Sequence, residues 1–386
     1  MSGVSGETRT KPVREKIVIW LLAVFLLTTA SFAEAQQSAK LAKIGFLGAG
    51  GLGGAGSGSE LFKRELRALG YVEGENIAID YRSTEGKRDR LPGLADDLVR
   101  LKVDVLVTSS TIAALAAKNA TRTIPIIFYT VTDPVAAGLV DSLARPGGNI
   151  TGITDIGAVL SGKRLELLKE TIPKLSRVAV LWDPQNPGNA QQWKESQLPA
   201  RELGLQLHSM EVSSPDKYEG MFKEAIKARS AALAVVSSPL VSSNRKRIAD
   251  LAEKNRLPAI YQRGDVAGGG LMSYGPDRAE PYKRVASMAD KILKGAKPAD
   301  LPGEQPTRFE FVINLKTAKA LNLTIPQSVL FRSDRVIQSG STMAEPDKNP
   351  VTMQELLVSS LVQADAIAKL LRRVYAEDFR GARDLS

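Results

Sequence analysis

Apolar and polar positions alternate along this chain in a repeating unit: a short run rich in Val and Ile, a few small or polar residues, then a stretch with Leu and Ala at helical spacing. The runs at 42–47, 76–81, 104–108 and 125–131 read as strands, and 60–69 and 90–101 as helices between them. Strands that are apolar almost throughout are buried on both faces, which predicts a parallel sheet with helices on either side. The rhythm restarts after Gly147-Gly148-Asn149 and Thr154. Strands are expected at 177–182, 205–212, 232–236 and 258–261, and helices at 162–170, 191–203, 218–228 and 244–255. The fold class is therefore α/β, with two lobes alike in plan, each built on a parallel sheet.

Beyond residue 262, Gly268-Gly269-Gly270, a strand at 271–274, a helix at 281–293 and a strand at 309–313 are expected to return to the first lobe and then recross. That assigns 36–154 and 270–300 to the N-terminal lobe, and 155–269 and 301–338 to the C-terminal lobe. Residues 339–386 differ in character. A linker-like stretch at 339–350 precedes an amphipathic helix at 352–375, where Thr352 and Glu355 have capping-box spacing. Leu356, Leu357, Ile367, Leu371 and Val374 lie on or near one stripe, which needs a docking partner within or outside the chain.

The amino terminus changes the picture. Lys11, Arg14 and Lys16 precede an apolar run at 17–27, followed by small residues ending Ala33-Glu34-Ala35. This is the pattern of a secretory signal peptide over 1–35, with a mature chain expected to start near Gln36. The run is shorter than the roughly 20 residues a membrane-spanning helix needs. The mature chain is expected in the periplasm, without a membrane span. The 386 residues include no cysteine, which excludes disulfides, thiolate metal sites, a Cys nucleophile and a lipid-modified N-terminal Cys anchor.

Charge adds little. The 52 basic and 42 acidic residues give a formal +10 spread along the chain, and the densest cluster, Arg245-Lys246-Arg247, reads as a solvated helix face. Nucleic-acid binding calls for basic residues clustered with aromatics or a recognition helix, so it is not expected. The single histidine, His208, falls in a strand without a recurrent acid partner. No metal site is legible, and one His without a nucleophile elbow gives poor support for hydrolase chemistry.

Gly48-Ala49-Gly50-Gly51-Leu52-Gly53 is formally a dinucleotide fingerprint after the first strand. The fingerprint requires a helix opening within it and an acid about 20 residues on. Here glycines continue to Gly58, and Asp80 lies too far along. The stretch reads instead as a loop whose amides, with Ser57 or Ser59, face a ligand cleft, and no cofactor is expected.

The stronger signal is at the carboxyl ends of successive strands, where open parallel sheets bind ligands. Ser109-Ser110-Thr111 follow one strand and open a helix. The helix is expected to start at Ile112 with Thr111 as its cap, the neighbouring hydroxyls and helix amides facing outward as an anion-attracting terminus; a plain cap without ligand contact is the alternative. The next strand ends Tyr129-Thr130-Val131-Thr132-Asp133-Pro134, where Asp133 is suited to capping, and a ligand ammonium would also find Tyr129, Thr132 and Asp133 on this rim. In the second half, Asp183 with Asn186, Ser237 with Ser238, and Tyr261 with Asp265 hold equivalent positions.

Five segments carry a resemblance over about residues 41–338: Lys43 to Gly48, Leu69 to Gly74, Asp133 to Val140, Arg145 to Gly152 and Gly270 to Gly275. In these the chain resembles the substrate-binding proteins of ABC transporters, of the tryptophan- and tyrosine-binding type. The resemblance implies a type I periplasmic-binding fold of two Rossmann-like lobes joined by about three crossovers, with a small polar solute such as an amino acid or aromatic acid between them. It implies a transporter permease in the inner membrane as partner and no catalysis. By position it favours Ser110, Thr111, Thr132, Asp133 and Tyr274 as ligand contacts. Residues from Ser339 onward lie outside the pattern. A ligand-sensing module for a membrane receptor is the alternative, and an exported α/β enzyme a weaker one.

Overall fold

The computed structural model describes residues 41–49, 58–262, 265–277 and 279–338. The expected signal peptide, most of the glycine-rich loop, and the tail with its expected helix at 352–375 lie outside these residues.

The first sheet has five strands in the order β2-β1-β3-β4-β5: β1 (Ala42–Gly48), β2 (Ile77–Ser83), β3 (Val105–Ser109), β4 (Ile126–Val131) and β5 (Ile150–Thr154). All pairs run parallel. Its strands send Ile44, Phe46, Val105, Val107 and Ile127 to one face, against Phe62 and Leu66 of the Gly58–Ala68 helix and Val285 and Met288 of the Glu280–Leu293 helix. Leu47, Leu106, Ile126 and Phe128 point the other way, onto the Leu91–Arg100 and Thr111–Ala120 helices. Successive side chains of a strand face opposite sides. A run apolar at every position therefore fills two cores.

The second sheet has seven strands in the order β12-β11-β10-β9-β8-β6-β7: β6 (Arg177–Trp182), β7 (Gln206–Glu211), β8 (Ala232–Val235), β9 (Ala259–Tyr261), β10 (Met272–Pro276), β11 (Phe309–Asn314) and β12 (Arg335–Ile337). The Tyr218–Lys227 and Arg245–Lys254 helices cover one face around Tyr218 and Phe222, both buried. The Val159–Thr171 and Pro187–Glu202 helices cover the other. Burying a side chain of that size contributes about 1.5–3 kcal/mol. The architecture is the expected pair of Rossmann-like sheets, with one departure: β11 runs antiparallel to β10.

The strand expected to return to the first lobe after residue 270 does not do so. β10 pairs with β9 and β11. A short apolar strand carries no mark of which sheet it joins, and here Gly275 lets it approach closely, since a Cβ at that residue would lie 1.9 Å from the Gln262 carbonyl oxygen. The chain crosses only after Pro276, and the Glu280–Leu293 helix is what packs on the first sheet. It crosses back before β11, the third passage after those near 155–158 and 277–279. The strand order expected from sequence also lacks β5 and β12. β5 is short, and Gly152 interrupts it where a Cβ would sit 2.1 Å from the Phe128 carbonyl oxygen.

Candidate functional site

The carboxyl ends of β3, β4 and β5 carry three non-glycine residues with positive φ: Ser110 at 88°, Thr130 at 55° and Ile156 at 44°. Such backbones cost about 1–3 kcal/mol each and persist where surrounding structure imposes them, most often at functional sites. Ser110, with ψ 154°, lies in a region that is otherwise glycine territory. Its N–H donates to the Tyr129 carbonyl (3.1 Å), and its hydroxyl accepts from the Ala113 N–H (3.4 Å), capping the Thr111–Ala120 helix.

Ser109 is half-buried at the end of β3, and Thr111 is buried at the first position of the helix. Tyr129 is buried, with its ring against Phe46 and Tyr282, on the face covered by the Glu280–Leu293 helix. Asp133 is half-buried and its carboxylate accepts from the N–H groups of Val135 (3.1 Å) and Ala136 (2.9 Å), so capping is its structural work.

On the second sheet the strand ends are also polar and buried. Asp183 follows β6 and is 2% exposed. Its N–H donates to Asn189 Oδ1 (3.1 Å), and Asn189 Nδ2 donates to the Ser237 carbonyl (2.9 Å), tying the end of β6 to the end of β8. Asn186 caps the Pro187–Glu202 helix, and Ser238 caps the short Pro239–Ser243 helix. Ser237 is half-buried between them.

The structure does not bring all the expected residues together. Tyr261 is buried in the core beneath the Tyr218–Lys227 and Arg245–Lys254 helices. Tyr274 stacks on Phe309 and meets Phe311 edge-on, and burial raises its phenol pKa. Both rings lie among second-half apolar groups. Asp265 opens a 3-10 turn, Asp265–Gly268, and its side chain is outside the described residues.

Thr111 and Thr132 do converge, with residues from the second half. A Cβ at Gly188 would lie 3.0 Å from the hydroxyl oxygens of both. The Gln192 amide donates to Thr132 Oγ1 (3.0 Å), and Gln262 donates to the Gln192 carbonyl oxygen. Thr132, Gln192 and Gln262 are all buried, forming a hydrogen-bonded chain from β4 through the Pro187–Glu202 helix to the end of β9. Asp155, 8% exposed after β5, accepts from the Gly157 N–H (2.9 Å) beside this chain. Arg164, 5% exposed, donates from Nε to the Tyr274 carbonyl (2.9 Å) and from Nη1 to the Gly157 carbonyl (3.3 Å). At the rim, Arg88, just after β2, reaches across to Asp183 at 3.0 Å.

Arg88, Asp155, Arg164, Gly188, Gln192 and Gln262 were not singled out from sequence. Asp155 and Gln262 each follow a strand, so the strand-end rule would have reached them. Arg164 and Gln192 sit inside helices, where a polar residue carries no sign of facing inward. Among the described residues no group of three His, Cys, Asp or Glu is placed to hold a metal ion, and no helix is long and apolar enough to cross a membrane. A surface groove of about 550 Å³ lies along β7, lined by Pro184, Ser209, Glu211, Lys217 and Met221, on the outer rim beside Asp183 and away from the threonines.

Residues 58–337 match the family model described as ABC transporter substrate binding protein. The chain is 30% identical over 263 residues to the tyrosine-binding protein of Clostridioides difficile strain R20291, covering 68% of this chain and 75% of that protein. A Streptococcus pneumonia ABC domain solved in complex with L-Trp is 27% identical, covers 77% of this chain and 99% of its own, and superposes with a TM-score of 0.71. A ligand-free, open substrate-binding protein with adhesive properties from Clostridium difficile has the same 27% identity and the same coverage, yet a TM-score of only 0.57. With seven-tenths of its length matched, this chain belongs to the ABC transporter substrate binding protein family.

Proposed function

We propose that the chain is an exported periplasmic receptor that holds an aromatic amino acid, tryptophan or tyrosine, between its two sheets and presents it to an uptake transporter. The observation that carries the reading is the convergence of Thr111 and Thr132 from the first sheet with Gln192 and Gln262 from the second. These are neutral donors and acceptors at strand ends, where an open parallel sheet meets its ligand. The similarity to a tyrosine-binding protein and to an L-Trp complex supports the ligand class. Nothing in this arrangement calls for bond breaking; the function is hinge closure around the solute.

In this reading the ligand carboxylate lies near the free amides at the start of the Thr111–Ala120 helix, whose dipole favours negative charge. Ser109 and Ser110 border that terminus. The ammonium lies toward Asp133 or Asp155, and the ring toward Tyr129. The Ser237 and Asp183 rim shapes the second wall, and the Tyr261 and Tyr274 rings, held in apolar packing, take no part in it.

The test is calorimetric titration of the chain from Gln36 onward, unfolded and refolded to strip carried-over ligand, with L-Trp, L-Tyr, L-Leu and L-Glu. Saturable binding of L-Trp or L-Tyr at least tenfold tighter than of L-Leu is expected. Equal or absent response to all four would refute the aromatic assignment. Osmotic-shock fractionation of cells expressing the full chain should release it with the periplasmic contents.

A further inference from the structure

We infer that the two halves are held together by a built-in closure seam, with Gly188 as a point of close packing and Arg88 with Asp183 as its latch. The inference rests on the receptor reading above in that it takes the two halves to hinge, but it concerns residues that need not touch the solute.

Gly188 sits at the second position of the Pro187–Glu202 helix, and its φ is outside the left-handed region, so the backbone there places no demand for glycine. Space explains the residue instead. A Cβ would meet Thr111 Oγ1 and Thr132 Oγ1, each at 3.0 Å, and Thr132 Cβ at 3.2 Å. Those atoms belong to the first sheet's strand ends, and the helix belongs to the second sheet. A Cβ here is already tight against those threonine atoms, and a branched side chain would press the halves apart.

The latch lies at the rim. Arg88 Nη2 is 3.0 Å from Asp183 Oδ2, Nη1 is 3.4 Å from Oδ1, and Nη2 also approaches the Ser213 carbonyl at 3.4 Å. Arg88 precedes the Leu91–Arg100 helix of the first half, while Asp183 follows β6 and Ser213 follows β7 of the second. The arginine keeps 29% of its side chain exposed and the aspartate only 2%. A carboxylate so poorly hydrated requires a cation or amide partners. The Gln185 N–H, at 3.0 Å, comes from its own half, and Arg88 is the charge supplied from the other. The pair therefore exists only when the halves are together, and it favours that arrangement over the separated one. The closer superposition on the L-Trp complex than on the ligand-free open structure, at equal identity, agrees with a closed disposition.

The consequence is quantitative. Apparent affinity scales with the fraction of molecules competent to close, so residues that touch only the seam alter binding without altering the solute's contacts. Arg88 and Gly188 are positioning residues in this sense.

The chain has no cysteine, so spin labels can be placed cleanly on Asp96→Cys in the first half and Lys223→Cys in the second, both exposed. Interlabel distances are read by pulsed dipolar spectroscopy with and without saturating L-Trp, in the parent and in Arg88→Gln, Arg88→Lys and Gly188→Val. A shift of Arg88→Gln and Gly188→Val toward longer distances is expected, with partial restoration by Arg88→Lys and half-saturation by L-Trp raised at least tenfold in Gly188→Val. Parent-like distance distributions in both Arg88→Gln and Gly188→Val would overturn the seam. If Gly188→Val loses its circular-dichroism signal, Arg88→Gln and Gly188→Ala decide by the same distances. A parent chain indifferent to every aromatic amino acid refutes the ligand assignment alone, because the distances report the seam without ligand.

Discussion

Replacing Arg164 with Ala removes a buried cation that joins two parts of the second half. Its Nε donates to the Tyr274 carbonyl at 2.9 Å and its Nη1 to the Gly157 carbonyl at 3.3 Å, with only 5% of the residue exposed. Gly157 lies on the first crossing and Tyr274 on β10, the strand from which the second crossing leaves. Hydrogen bonds to a charged group are worth about 1.5–3 kcal/mol each, and the longer Nη1 contact argues for the lower end, giving about 3 kcal/mol for the two. Loss of the packed aliphatic stem adds about 1 kcal/mol. Roughly 4 kcal/mol corresponds to a melting temperature about 5 °C lower for a chain of this size. Beyond the expected signal peptide, which holds Trp20, the tryptophans are Trp182 and Trp193, stacked on each other at 5.7 Å in the second half, so their fluorescence reports this half during urea unfolding. Arg164→Lys, which keeps the charge but not the fork, should fall between. A loss below about 1 kcal/mol in Arg164→Ala, on the scale of an ordinary surface change, would refute the argument.

Three further outcomes follow from the same contacts. Gly275→Ala places a methyl 1.9 Å from the Gln262 carbonyl oxygen, so β10 or the end of β9 must move; overpacking of this kind costs about 1–3 kcal/mol, read as a lower urea midpoint. Thr132→Val leaves the buried Gln192 amide without its acceptor and should weaken L-Trp or L-Tyr binding by at least fivefold in calorimetry, with the fold intact by circular dichroism. Burial and the hydrogen bond to Asp290 push the Tyr71 phenol pKa up to about 12, so the folded state holds its proton more tightly than the unfolded chain. The stability this gives is complete below pH 10 and is lost between pH 10 and about 12. Tyr71→Phe should flatten the alkaline limb of stability over that window, and an unchanged limb would count against it.

How much was legible depends on whether a residue's role is written in its neighbours along the chain. β6 was bounded correctly because its apolar run ends sharply at Trp182-Asp183-Pro184, and the Tyr218–Lys227 helix came within a residue because Phe222 and Ala225 repeat at helical spacing. Asp133 was found as a cap because capping is local, whereas the cap expected at Thr111 falls one residue earlier, on Ser110. β10 was placed in the wrong sheet because sheet membership is decided by partners far away in sequence, here Gln262 against Gly275 and Phe311 against Tyr274. Arg164 and Gln192 were invisible for a related reason: both helices pack along one face of a sheet while also meeting a crossing or the other half. A polar residue on that second face looks like a solvent-facing one until the neighbour is known. Tyr261 and Tyr274 showed the opposite error. An aromatic residue at or near a strand end was read as part of the ligand wall, whereas apolar packing claims both rings.

The polar residues at the strand ends face two demands at once, and this governs how any substitution there is read. Thr132 accepts from Gln192 and also abuts Gly188, so it lies on the seam as well as in the proposed site. Thr111 does the same through its own contact with Gly188. A weaker solute affinity in a Thr132 variant therefore has two sources, a lost contact to the solute or a smaller closed population, and an affinity measurement alone returns only their product. The two separate in the ligand-free chain. A residue that acts through the solute leaves the distance between the halves unchanged there, while one that acts through the seam shifts it. Thr132→Val should do both, Arg88→Gln only the second, and a substitution at Asp133, whose carboxylate is engaged in its own capping turn, only the first.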